Sequence, residues 1–186
     1  EGMRHFATDE FPRLTSKEKL GTLKPVFQRN GTVTAGNSSG RNDGASMMLL
    51  MSEEKAEQLG LTPMAKIVSF AAAGVSPKEM GIGPVSASQI ALNKAGLSLG
   101  DMDLIELNEA FAAQSIACLR EWDITSEKVN VNGGAIALGH PLGCSGARII
   151  TTLCHELHKQ KRRYGLATIC VAVGLGMAMV VERWTK

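Results

Sequence analysis

Three residues of this 186-residue chain pair reactive or hydrogen-bonding side chains with similar places in the pattern: Asn108, His140 and Cys170. Asn108 follows the apolar stretch DLIEL (103–107), His140 lies in the loop after VNVN (129–132), and Cys170 stands inside or at the end of LATICVAV (166–173). If these stretches are strands, all three residues lie near strand exits, where open α/β sheets place ligands. An imidazole exchanges a proton near neutral pH, a thiol acts as nucleophile or acid, and an amide donates to a developing oxyanion. Each also has a plainer reading. Asn108 is a candidate helix N-cap, His140 before Pro141 a loop histidine, and Cys170 an inert core cysteine.

The surroundings of His140 favour chemistry. Gly133, Gly134, Gly139, Gly143 and Gly146 crowd one histidine and allow backbone to approach a ligand closely. The loop lacks the Lys-Ser/Thr ending of a phosphate-binding P-loop and the downstream acid of a dinucleotide fingerprint.

The elements that must position these residues read as alternating β and α units. Residues 1–36 are expected to be mostly extended or loop, with a short helix over 15–23 and docking on something else. After the turn-forming NSSGRNDG, the run ASMMLLM (45–51) reads as a buried strand or a helix. Ser52 caps a helix that starts with Glu53 and Glu54 and stops at Gly60. A strand is expected within 64–75, and Ser86 with Gln89 forms a capping-box pattern opening a helix that ends at Gly96. DLIEL is a strand, 108–122 an amphipathic helix, and VNVN a third short strand. Ile150, Leu153, Cys154 and Leu157 mark the longest helix, and strands 166–173 and 177–183 close a hairpin around Gly174–Gly176. The expected fold class is α/β, a mixed sheet covered by helices.

Composition excludes several classes. With 44% hydrophobic and 20% charged residues, disorder is not expected. A net charge of +2 and 4% aromatics argue against nucleic-acid binding. Lys159, Lys161, Arg162 and Arg163 read as a solvated helix end or, alternatively, a contact for phosphate groups. Cys118, Cys144, Cys154 and Cys170 form no CxxC pair and are expected to be reduced, consistent with a soluble cytoplasmic protein; no membrane span or secretory signal is indicated. Glu1 and Gly2 precede Met3, as expected of a fragment or of two added residues.

The motifs GNSSGRNDGA (36–45), MGIGP (80–84), NEAFA (108–112) and GGAIALGHPLGCSGAR (133–148), followed by Cys170, resemble the thiolase family, with acetyl-CoA acetyltransferases nearest. Order and spacing match from about residue 9 onward. By that resemblance His140 activates a nucleophilic cysteine and helps hold a thioester oxygen, Asn108 positions a water in the same oxyanion hole, and Cys170 is the general acid/base. His140 is expected to shift the Cys170 thiol toward thiolate. Ser39 matches a serine touching CoA pantetheine, and Met80, Ala110 and Phe111 match positions lining the tunnel, with ordinary turn or core packing as the alternative for these four. The substrates implied are acetyl-CoA or 3-ketoacyl-CoA and CoA, with no permanently bound cofactor and no metal, in a homo-oligomer.

The resemblance divides the chain into a loop-domain remnant (1–36), a strand-helix piece of the N-terminal domain (37–62) and the C-terminal domain (63–186). No cysteine here stands in the family's acyl-accepting motif, so a missing N-terminal half or partner chain is expected, with ASMMLLM exposed or repacked. Where the family usually reads three glycines, this chain has Ala172-Val173-Gly174, which predicts backbone strain at 172 and 173. Cys144 and Arg41 stand where alanine and an aliphatic residue are usual. A non-catalytic CoA-binding or scaffold subunit of the same fold is the alternative, and a β-ketoacyl synthase relative a poorer third.

Overall fold

The computed structural model describes residue 3 and residues 5–185; Glu1 and Gly2, with their unusual order, lie outside the described residues. A four-stranded sheet organises the chain: β1 (Ala65–Gly74), β2 (Leu104–Leu107), β3 (Tyr164–Val171) and β4 (Leu175–Arg183), in the order β1-β4-β3-β2. β4 runs antiparallel to both neighbours, whereas β2 pairs parallel with β3. The sheet is therefore mixed, as expected.

Period-2 alternation decides which residues meet which layer. On one face, Ala71, Ile105, Leu107, Leu166, Ala178 and Val180 pack with Ala87, Ala91 and Leu92 of helix α3 (Gly83–Ala95) and Cys118 of α4 (Ala112–Trp122). On the other, Leu104, Ala167 and Val181 meet Ile149, Leu153, Cys154 and Leu157 of α6 (Ser145–Lys159). The helical face of α6 thus centres on Ile149, Leu153 and Leu157, with Ile150 only half-buried. Away from α6, Phe70 and Met177 stay exposed.

Local signals fix several ends. Ser16 caps α1 (Lys17–Gly21) by accepting the N–H of Lys19. Ser52 Oγ accepts the N–H of Lys55 to cap α2 (Glu53–Gln58), and Gly60 follows with φ 65°. Gly96, at φ 67°, ends α3 in the left-handed conformation.

Other expectations need correction. α3 starts at Gly83-Pro84 rather than Ser86, because proline suits the first turn and needs no N–H partner. The capping box forms instead at Ser98 and Asp101, around a short 3₁₀ turn. VNVN is no strand: Val129 makes a single bridge to Ile105, and Asn130 turns away with φ 49°. ASMMLLM has no regular structure, and Met47, Leu49 and Leu50 are exposed, since no neighbouring strand accepts its backbone. The glycine loop holds an unexpected one-turn helix, α5 (Ala135–Leu138).

Candidate active site

The loop between β2 and α4 carries the first site residue. Helix α4 begins at Ala112, not at 108, because the segment at 37–39 takes the intervening backbone. Ser39 N–H donates to Ala110 O at 3.0 Å, Ala112 N–H to Asn37 O at 2.9 Å, and Ser39 Oγ to Ala110 O at 3.1 Å. Asn108 is consequently not an N-cap. Its N–H donates to Thr168 O at 2.9 Å, and its side chain is fully buried with Oδ1 unpaired.

Asn130 stands in for the missing strand at this edge. Its Oδ1 accepts Leu107 N–H at 2.9 Å and its Nδ2 donates to Leu107 O at 2.8 Å, closing the end of β2 with a side chain. Nδ2 also donates to Glu109 Oε1 at 3.1 Å, while Glu109 Oε2 accepts Ile136 N–H at 3.1 Å. The Glu109 carboxylate so ties the β2 exit to α5, and a Cβ at Gly134 would collide with it.

His140 is held from three sides. Its N–H points between Gly40 O and Asn42 Oδ1, both at 3.2 Å. Its Nδ1 lies 2.6 Å from Ser145 Oγ, and Ser145 donates its own hydroxyl proton to Pro141 O at 3.1 Å. A hydroxyl has one proton, so Nδ1 carries the hydrogen and donates to Ser145. Nε2 then keeps its lone pair, toward which Asn108 Nδ2 donates across a long 3.4 Å contact. Burial, with a smaller contribution from Arg148, lowers the His140 pKa and favours this neutral ring.

Beneath the loop, Arg148 of α6 lies 3.4 Å from Glu106 of β2. Burial outweighs that cation and, with Glu109 and Glu156 adding to it, the Glu106 carboxyl is pushed up to about 7.

Cys170 is buried at the end of β3, and burial raises its thiol pKa. This corrects the expected shift toward thiolate: desolvation outweighs the backbone hydrogen bond to Cys170 and decides the direction. The β3–β4 turn follows, where Val173 takes φ 59° and Gly174 φ 89°. The strain expected at both 172 and 173 thus falls on Val173, an exposed β-branched residue in a region such residues rarely occupy.

His140 and Cys170 open onto one cleft of about 1000 Å³, which Ser39, Met80, Ala110 and Phe111 also line. Asn108 stands behind His140 and does not line it. The sequence offers no sign of Phe27, which meets Phe111 edge-on with centroids 5.8 Å apart and lines the wall together with Val26. Ser145 and Asn42 were also missed, although both stand within the singled-out motifs. The four cysteines are free and buried. Among the described residues no group of three His, Cys, Asp or Glu is placed to hold a metal, and no helix is long and apolar enough to cross a membrane.

This arrangement has relatives. The thiolase C-terminal domain family matches residues 61–183, and the thiolase N-terminal domain family matches residues 1–54. The chain belongs to the thiolase family. It is 56% identical over 179 residues to an acetyl-CoA acetyltransferase of Syntrophomonas wolfei subsp. wolfei, covering 95% of this chain and 45% of that protein. It is 60% identical over 173 residues to a 3-ketoacyl-CoA thiolase of Vibrio vulnificus, covering 91% and 45% respectively. The crystal structure of the Bacillus anthracis acetyl-CoA acetyltransferase superposes with a TM-score of 0.94 at 50% identity, over 99% of this chain and 48% of that one. Human mitochondrial 3-ketoacyl-CoA thiolase in complex with CoA gives 0.90 at 47% identity, over 97% and 46%. The chain thus spans about half the length of the curated relatives it matches.

Proposed function

We propose that this chain supplies the proton-transfer half of an acyl-CoA acyltransferase site, for Claisen condensation of acetyl-CoA or thiolysis of 3-ketoacyl-CoA. The observation carrying this reading is the shared cleft of His140 and Cys170, with Asn108 directed at Nε2. No cysteine of this chain matches the family's acyl acceptor, so that nucleophile comes from an N-terminal half or partner chain. The domain division given above, with its boundaries at 36 and 62, is part of the proposal.

In thiolysis, the acceptor thiol gives its proton to the Nε2 lone pair of His140 as its sulfur attacks the 3-keto carbon. The N–H so formed donates to the thioester oxygen as the long Asn108 contact gives way, and Asn108, behind the ring, acts on that oxygen through a water. The carbon–carbon bond breaks, its electron pair forms the acetyl-CoA enolate, and the Cys170 thiol donates a proton to the α-carbon. The resulting Cys170 thiolate takes a proton from CoA, whose sulfur attacks the acyl-enzyme; the acceptor sulfur leaves and takes its proton back from His140 Nε2, restoring the neutral ring and the thiol. A raised thiol pKa keeps the proton on Cys170 until the enolate forms. Ser39, Met80, Ala110 and Phe111 would border the pantetheine arm, with Ser39 Oγ and the apolar walls as its contacts.

The test is thiolysis of acetoacetyl-CoA by the chain alone and after assembly with a thiolase N-terminal half. Activity is expected only in the assembly; an intact, folded assembly without thiolysis would contradict the reading. The left-handed Val173 beside Cys170 favours a second reading, a CoA-binding subunit without turnover. Calorimetric CoA binding by that same inactive assembly would support it. A cytoplasmic location and a homo-oligomeric assembly belong to the first reading, and sedimentation of the assembly checks the latter.

A further inference from the structure

We infer that Arg41 makes this cleft selective for acyl thioesters whose acyl chain carries a carboxylate. This rests on the acyl-CoA reading of the site proposed above.

Arg41 is the one Arg, Lys, Asp or Glu among the residues lining the cleft; the rest of the wall is mostly apolar, including Val26, Phe27, Leu142 and Ile169. Its guanidinium has no hydrogen-bond or ion-pair partner among the described residues. Asp43, the acid nearest in sequence, does not line the cleft. Both flanking residues are tied to the histidine loop: the Gly40 carbonyl and the Asn42 side-chain Oδ1 accept the His140 N–H, each at 3.2 Å. The main chain of Arg41 therefore stands between two residues that grip the histidine loop, and its side chain lines the same cleft as His140 and Cys170. The five donors of a guanidinium match a carboxylate in bidentate fashion, and Arg41, exposed at the cleft wall, is free to meet one.

CoA contributes phosphates, the other anion that could meet this cation. The pantetheine arm, two amides long, separates them from the sulfur, whereas Arg41 is anchored beside the loop expected to hold the thioester. The acyl end is accordingly the better match.

Calorimetry on the 186-residue chain, with circular dichroism to report folding, tests the inference using succinyl-CoA, butyryl-CoA and butyryl-pantetheine. The wild type is expected to bind succinyl-CoA about twofold to fivefold more tightly than butyryl-CoA, the range of an exposed ion pair. Arg41→Leu removes that preference and Arg41→Lys keeps part of it. Equal binding of the two acyl-CoAs by the wild type, or a preference unchanged in Arg41→Leu, overturns the inference alone. If Arg41→Leu weakens both CoA thioesters equally and leaves butyryl-pantetheine unaffected, the guanidinium reads CoA phosphates and the inference is likewise overturned. A folded wild type that binds none of the three contradicts the proposed function, and the inference falls with it.

Discussion

Ser145 accepts the Nδ1–H of His140 at 2.6 Å while passing its own proton to Pro141 O, so a serine at the start of α6 fixes which ring nitrogen faces Asn108. The relationship is local in sequence, five residues apart, yet it sets the protonation pattern of the cleft.

Ser145→Ala leaves a buried Nδ1–H without its acceptor, a cost of about 1–3 kcal/mol if the ring keeps its tautomer. The ring is therefore expected to redistribute between tautomers. Thiolysis by the assembled enzyme falls about tenfold or more, and Ser145→Thr recovers part of it. A change of kcat/KM by less than about twofold in Ser145→Ala, with an unaltered pH profile, would show that the hydroxyl does not set the tautomer.

Asn108→Ala separates activity from stability. The side chain is buried, but its Oδ1 is already unpaired and its Nδ2 contact is a long 3.4 Å, so little stabilising hydrogen bonding is lost. Urea unfolding is expected to shift by less than about 1.5 kcal/mol, whereas kcat drops about 10²–10³-fold, as for loss of an oxyanion donor. A large stability loss with kcat retained would assign Asn108 to structure instead.

Glu106 predicts a slope of stability with pH. Its folded pKa of about 7 lies above its ordinary value, so the native state holds a proton that the unfolded state releases as pH rises through the window between them. The group's contribution is fully present below the ordinary carboxylate range and is lost as pH rises through about 7. Glu106→Gln removes this slope. Melts at pH 5 and pH 8 should show the variant gaining on the wild type at the higher pH, by on the order of 1–3 kcal/mol. The lost Arg148 contact shifts both melts, so the difference between the two pH values is the quantity to compare. Parallel melts at both pH values would mean that Glu106 ionises normally.

Val173→Gly is expected to stabilise the fold by about 1 kcal/mol. Relief of a left-handed β-branched residue exceeds the entropy cost of glycine, and the exposed side chain contributes little packing. Urea midpoints measure this, and a lower midpoint for the glycine variant would mean that Val173 makes contacts outweighing its strain.

Sequence patterns located what is decided locally. The Ser52 cap, the left-handed Gly60 and Gly96, the α6 stripe and the β3–β4 hairpin all follow from short-range chemistry, although the hairpin turns at Ala172–Gly174 rather than at Gly174–Gly176, whose Leu175 and Gly176 already pair within β4. Failures arose where distant residues intervene. The start of α4 moved to Ala112 because Asn37 and Ser39 bind the backbone at 110 and 112, over 70 residues away. VNVN lost its strand because Asn130 pairs through its side chain and adopts a left-handed backbone that no alternation pattern reveals. In the site, the order of NEAFA, GHP and Cys170 brought His140 and Cys170 to one cleft. Phe27 was illegible, since its place at the wall depends on how a loop folds back against Phe111.

Proton transfer by Cys170 is the central claim, and deuterium exchange into the methyl group of acetyl-CoA measures it most directly. In D2O, with this chain assembled with a thiolase N-terminal half, proton NMR is expected to show the methyl signal washing out. Cys170→Ala should slow that exchange about 10²–10⁴-fold, the usual contribution of a positioned acid/base, while hydroxylamine-sensitive acetylation of the nucleophilic cysteine still goes to completion, more slowly because the departing CoA sulfur loses its proton donor. Exchange at the wild-type rate in Cys170→Ala would contradict the assignment and place the base elsewhere in the assembly.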